Sequence, residues 1–211
     1  MSTDIGYTIA AKLLDIEAIK LNLDNPFTWS SGWKSPIYCD NRLSLSYPET
    51  RTLIKQALAS TIKKNYPSVE AIAGVATAGI PQGALVAEEL GVPFIYVRSK
   101  PKGHGMENMI EGKITEEQKV VVIEDLVSTG GSSLKAVEAL REAKMEVLGM
   151  AAIFTYGFDV ADENFENADV SLVCLSNYGL LIEEALKRGY VSDDQIESLK
   201  EWRNNPGSWK Q

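Results

Sequence analysis

The chain has 211 residues, 45% of them apolar and 24% charged, and 21 basic against 29 acidic side chains set its net charge at −8. That is the composition of an ordinary soluble globular protein of about one domain's length, which excludes a fibrous or disordered chain. It also argues against a nucleic-acid coat, which needs a basic excess. The longest apolar run, 147–154, is broken by Gly149 and falls far short of the roughly 20 residues of a membrane span, so no membrane partner is expected. The start, with Asp4 early and no basic cluster before an apolar block, does not read as a secretory signal, so the expected compartment is the cytoplasm. Two cysteines, Cys39 and Cys174, stand far apart with a single histidine; they read as buried small hydrophobes, with no zinc site.

In chain order, Ile5, Ile9, Leu13, Leu14 and Ile16 to Ala18 form a helical stripe. Residues 27–41 alternate aromatic and small polar side chains around Ser30-Ser31-Gly32, predicting two short strands joined by a turn. Ser46-Tyr47-Pro48-Glu49 supplies a capping-box pattern before a helix whose stripe is Leu53, Ile54, Ala57, Leu58 and Ile62. Strand patterns at 70–75, 92–97, 119–123, 147–154 and 169–175 then alternate with helical ones at 80–90 and 131–143. This predicts an α/β fold with a mostly parallel central sheet flanked by helices. Residues 98–117 carry no helical stripe, and a loop that long is usually functional or disordered. Helices are predicted at 180–188 and 192–202, the second opened by a Ser192-Asp193-Asp194-Gln195 box. Residues 156–211 hold 11 acids and 5 bases, which reads as a solvated outer face.

Chemistry concentrates in 120–133. Four β-formers lead to the adjacent carboxylates Glu124 and Asp125, then to Ser128, Thr129, Gly130, Gly131 and Ser132 before a helix. Ligands of open α/β sheets bind at strand carboxyl ends. A small-residue loop at a helix N-terminus offers backbone N–H groups and hydroxyls to an anion. No Lys-Ser or Lys-Thr follows a Gly-x₄-Gly, and Gly103-x-Gly105 is followed by Asn108, so neither a P-loop nor a dinucleotide fingerprint is present. Upstream, Arg98, Lys100, Lys102 and His104 stand together without an acid, forming a candidate anion clamp. The glycine-bounded turn Gly74–Gly79 either presents amides to a phosphate or serves only tight strand–helix packing.

The strand ending in two acids and a Thr-Gly-Gly-Ser loop resembles the phosphoribosyl pyrophosphate (PRPP) signature of the type I phosphoribosyltransferases. Arg98-x₃-Lys102-x-His104-Gly105 and Phe27-Thr-Trp-Ser-Ser-Gly-x-Lys34-Ser-Pro-Ile-Tyr38 narrow the resemblance to the orotate phosphoribosyltransferases. It implies transfer of phosphoribosyl from PRPP to orotate in pyrimidine (UMP) biosynthesis, giving orotidine 5′-phosphate and pyrophosphate, with Mg²⁺ held mainly by PRPP and water rather than by protein side chains. By matching position, Glu124 and Asp125 would hold the ribose hydroxyls, and Leu126 and Val127 to Ser132 would surround the 5′-phosphate. Ser128 would also touch orotate. Arg98, Lys102 and His104 would bind pyrophosphate, with Lys102, Glu124 and Asp125 as the catalytic set. The resemblance implies one domain over 1–211, hood elements in about 1–45, and a flexible catalytic loop at about 98–117 that acts on the neighbouring subunit of a homodimer. Ser99, Ala78 and Tyr156 stand where some relatives carry basic residues. A purine-base phosphoribosyltransferase and a PRPP-sensing RNA-binding regulator are the competing readings; the −8 charge opposes the second.

Overall fold

The structure, a computed structural model, describes residues 3–29, 31–100 and 109–210. Helix α1 (Thr3–Asp15) leads into four short strands: β1 (Ile19–Leu21), β2 (Phe27–Thr28), β3 (Lys34–Ser35) and β4 (Ile37–Cys39). The strand pair foreseen at 27–41 is present as β2 against β3, closed by Gly32 at φ +89°. The chain does not continue along it. Pro36, without an N–H, follows β3, and β4 turns to pair antiparallel with β1, which was not foreseen, placing Ile19 opposite Cys39.

A 3₁₀ turn (Asn41–Ser46) comes next, headed by the Asp40 carboxylate accepting from the Arg42 N–H. Ser46 is spent in that turn, so α2 (Pro48–Asn65) starts on Tyr47 with Pro48 in its first turn and no side-chain cap. This corrects the capping box expected at Ser46. Ile54, Leu58 and Ile62 of the expected stripe are fully buried.

The central sheet contains β5 (Ala71–Val75), β6 (Phe94–Val97), β7 (Ile110–Glu111), β8 (Lys119–Val127), β9 (Glu146–Thr155) and β10 (Leu172–Asn177), in the order β10-β9-β8-β5-β6-β7. All neighbours are parallel except β7, which runs antiparallel to β6 inside the stretch expected to be loop. Helices α3 (Gly79–Leu90), α4 (Gly131–Glu142) and α5 (Asp159–Asn167) connect parallel strands, α6 (Tyr178–Lys187) follows β10, and α7 (Ile196–Asn204) ends the described helices. Its expected box is formed, with Ser192 and Gln195 capping each other's backbone, but it heads a 3₁₀ turn before the α-helix.

Both faces of the sheet are covered, so its inner strands are apolar on both sides. Along β8, Val121 and Ile123 enter the core under α1, α2 and α6, whereas Val120 and Val122 enter the one under α4 and α5. From β5 the chain crosses to β6 on one side, then returns to β8 on the other. The connections diverge between β5 and β8, and a crevice opens at their carboxyl ends. The acidic tail is only partly a solvated face: Leu181, Leu199 and Trp202 are fully buried. Of the two cysteines, Cys174 is buried and Cys39 half-buried. No described helix is long and apolar enough to cross a membrane.

Candidate active site

β8 runs four residues beyond the expected Ile123, so the acid pair lies inside the strand, where Glu124 is registered opposite Ala152 and Leu126 opposite Phe154. Alternation therefore sends the two carboxylates to different sides. Glu124 is buried, with Oε1 accepting from the Asp125 N–H at 3.1 Å and Oε2 accepting from the Ser133 hydroxyl at 3.0 Å. Burial and then the Asp125 charge push its pKa up to about 8. Burial raises Asp125 as well. Both carboxyls are thus held above the ordinary carboxylate range, which disfavours two full charges on the pair. Such a pair opposes a polyanionic ligand less than two fully ionised carboxylates would.

Behind the acids lies a buried polar chain. The Asn41 side-chain amide donates to the Asp125 carbonyl at 2.7 Å, the Ser44 hydroxyl to the Asn41 carbonyl at 2.6 Å, and the Gln82 amide to the Ser44 hydroxyl at 3.1 Å. This chain ties the N-terminal segment and α3 to the acid-bearing strand. Sequence reading passed over Asn41 and Gln82, because nothing local distinguishes a buried amide from an exposed one.

Beyond Val127, the half-buried Ser128 and Thr129 lead to Gly130 at φ +81°, which caps α4. A Cβ at Gly130 would stand 2.7 Å from the Phe165 ring, so glycine is required by both its backbone angle and its packing. The Asn164 amide fixes the Thr129 carbonyl at 2.9 Å. Exposed Gly131 and Ser132 open α4, leaving its first N–H groups directed at whatever anion occupies the crevice. Across from them, Gly79 at the start of α3 sits so close to β8 that a Cβ would lie 2.4 Å from the Ile123 carbonyl oxygen. The 74–79 turn is thereby pressed beside the acid pair, with Ala78 as the α3 cap.

A cavity of about 580 Å³ adjoins the acids. Thr28, Trp29, Ser31, Trp33 and Tyr38 wall it from the N-terminal strands, while Leu126, Ser128 and Tyr156 wall it from the sheet. Arg98, at the end of β6, is half-buried; its N–H donates to the Met109 carbonyl at 2.8 Å and its guanidinium pairs with Glu111 at 3.2 Å. Lys102 and His104 lie outside the described residues. Among the described residues no cluster of three or more His, Cys, Asp or Glu side chains is placed to hold a metal ion. An anion cradle, a carboxyl pair and a ring-sized aromatic cavity meet at one sheet switch point.

Residues 45–181 match the family described as phosphoribosyl transferase domain. Over 208 residues the chain is 61% identical to the orotate phosphoribosyltransferase of Cytophaga hutchinsonii, covering 98% of this chain and 100% of that one. The chain belongs to the orotate phosphoribosyltransferases. Its mostly parallel six-stranded sheet is that of a type I phosphoribosyltransferase domain. The orotate phosphoribosyltransferase of Aeropyrum pernix superimposes with a TM-score of 0.75 at 29% identity, over 87% of this chain and 99% of that one. The Leishmania donovani UMP synthase superimposes with a TM-score of 0.78 at 26% identity, over 94% of this chain; the chain spans 42% of that longer protein.

Proposed function

We propose that the chain forms a bond between a ring nitrogen of orotate and the anomeric carbon of PRPP, breaking the anomeric C–O bond and releasing pyrophosphate, to give orotidine 5′-phosphate for pyrimidine synthesis. The observation that carries this reading is the juxtaposition of the Glu124–Asp125 pair, the 128–132 cradle and the 580 Å³ cavity. As the C–O bond breaks, positive charge develops on ribose and negative charge on the departing group, so carboxyls belong at the sugar and cations at the leaving group. Glu124 and Asp125 would take the ribose hydroxyls, and Leu126, Val127, Ser128, Thr129, Gly130, Gly131 and Ser132 would surround the 5′-phosphate. Arg98, Lys102 and His104 would hold pyrophosphate. Orotate would lie in the cavity under a hood formed from residues of about 1–45, in contact with Ser128. The ring nitrogen gives up its proton as the new bond forms, and the departing pyrophosphate or water can take it, so a strong general base on the protein is not needed.

Mg²⁺ fits this donor set. Both Glu124 oxygens already accept protein hydrogen bonds, and Mg²⁺ is commonly held by few carboxylates together with substrate phosphates and water. When bound, it would supply Lewis-acid stabilisation of the charge on the leaving pyrophosphate. The proposal extends to a cytoplasmic homodimer in which the 98–117 loop of one subunit serves the other's site.

An ultraviolet assay of the purified protein with PRPP, Mg²⁺ and either orotate or hypoxanthine tests the reading. Consumption of orotate and not of hypoxanthine is expected. Turnover of hypoxanthine alone would make the chain a purine-base enzyme, and turnover of neither would remove the catalytic assignment.

A further inference from the structure

The carboxyl end of β8 lacks a neighbouring strand on one edge. Pairing with β5 ends where Ile123 stands opposite Gly74, whereas β9 stays paired on the other side as far as Val127. Backbone groups left over where a sheet ends need other partners. At Asp125 side chains supply them: its N–H donates to Glu124 Oε1 at 3.1 Å, and its carbonyl accepts from the Asn41 amide at 2.7 Å. The first of these partners belongs to the acid pair itself. The second comes from the N-terminal segment, 84 residues away in sequence.

Asn41 is suited to hold that carbonyl. It is fully buried, and it is fastened at two points: its Oδ1 accepts from the Cys39 thiol at 3.4 Å and its own carbonyl accepts from the Ser44 hydroxyl at 2.6 Å. Its side-chain N–H is thereby aimed at β8 before any ligand arrives. Ser44 and Gln82 behind it are buried as well, and Gln82 Oε1 has no partner among the described residues. Apolar side chains would fill this space without an orphaned acceptor, so packing alone does not account for the polar chain. The neighbouring anion cradle is anchored independently. Asn164 of α5 holds the Thr129 carbonyl at 2.9 Å, and the Phe165 ring lies against Gly130. Asn41 therefore acts on the acid end of the site and leaves the 128–132 end alone.

We propose that Asn41 is a positioning residue whose amide fixes the Asp125 end of the acid pair against the ribose hydroxyls of PRPP. This rests on the reading above that the pair takes those hydroxyls. The test is calorimetric titration of wild type, Asn41→Leu and Ser44→Ala with ribose 5-phosphate and with inorganic phosphate, alongside steady-state kinetics. Leucine keeps the volume and removes the donor, while Ser44→Ala loosens Asn41 without touching β8. Asn41→Leu is expected to bind ribose 5-phosphate about tenfold more weakly with phosphate affinity unchanged, and kcat is expected to fall about tenfold while KM for orotate holds. Ser44→Ala is expected to show the same pattern in smaller degree, and it carries the test if Asn41→Leu does not fold. Unchanged ribose 5-phosphate binding, or equal weakening toward both probes as a merely structural side chain would produce, overturns the proposal. Failure of the wild type to convert orotate would instead overturn the function it rests on, and the ribose 5-phosphate titrations would still decide the role of Asn41.

Discussion

At the scale of single residues, the acid pair links function to stability. Burial and the Asp125 charge push the Glu124 pKa from its ordinary 4.5 up to about 8. Between these values the folded state binds more protons than the unfolded one, so this group makes stability fall as pH rises. Asp125 is shifted in the same direction by burial. Glu124→Gln retains an acceptor for Ser133 and removes the titration. Its melting temperature relative to wild type is therefore expected to rise between pH 5 and pH 8, with catalysis reduced at both. A pH-independent difference in thermal melts would mean that Glu124 is already ionised in the fold. These roles were visible in the sequence as two acids before a glycine loop; their raised pKa values were not, because they depend on burial that only the assembled sheet creates.

At the scale of elements, Gly79 is the tightest junction. Adding a Cβ there would collide with the Ile123 backbone, which no side-chain rotation can relieve. Gly79→Ala is expected to cost about 1–3 kcal/mol, read from urea unfolding, and to weaken PRPP binding by displacing the turn beside the acids. Unaltered stability would show that α3 has room to move away from β8. Elements with a strong period were legible: the repeated run-and-stripe pattern from 70 to 154 yielded β5, α3, β6, β8, α4 and β9, and the patterns before and after it yielded α1, α2, β10, α6 and α7. β1, β7 and α5 lacked one. β1 and β7 have three and two residues, too short for alternation to register. In α5 the buried stripe is only Ala161 and Phe165 among acids. The Ser46 pattern was genuine as a string but one residue early, because the chain was still in the 3₁₀ turn headed by Asp40 and Arg42. The cavity was least legible. Tyr156 lines it beside Trp29 from the other end of the chain, with Trp202 packed against both, and no local spacing encodes that meeting.

At the scale of the whole molecule, the proposed homodimer, in which the loop of one subunit serves the other's site, would make activity a property of the pair. Lys102→Ala and Asp125→Asn proteins are each expected to be nearly inactive alone. After subunit exchange, a hybrid dimer places both lesions in one site and leaves the other intact, so an equal mixture should recover roughly a quarter of wild-type activity. Absence of recovery with exchange confirmed by mass would show that each site is built from one chain. The closing contact of the fold also has a consequence in time. Trp202 in α7 holds the Lys34 carbonyl of β3 across 168 residues of sequence. At about 5–20 residues per second of synthesis, that carbonyl waits roughly 10–30 s for its partner. The aromatic wall is begun almost first and fastened almost last, so a nascent chain can have its acid-bearing strand long before it has a finished place for the base.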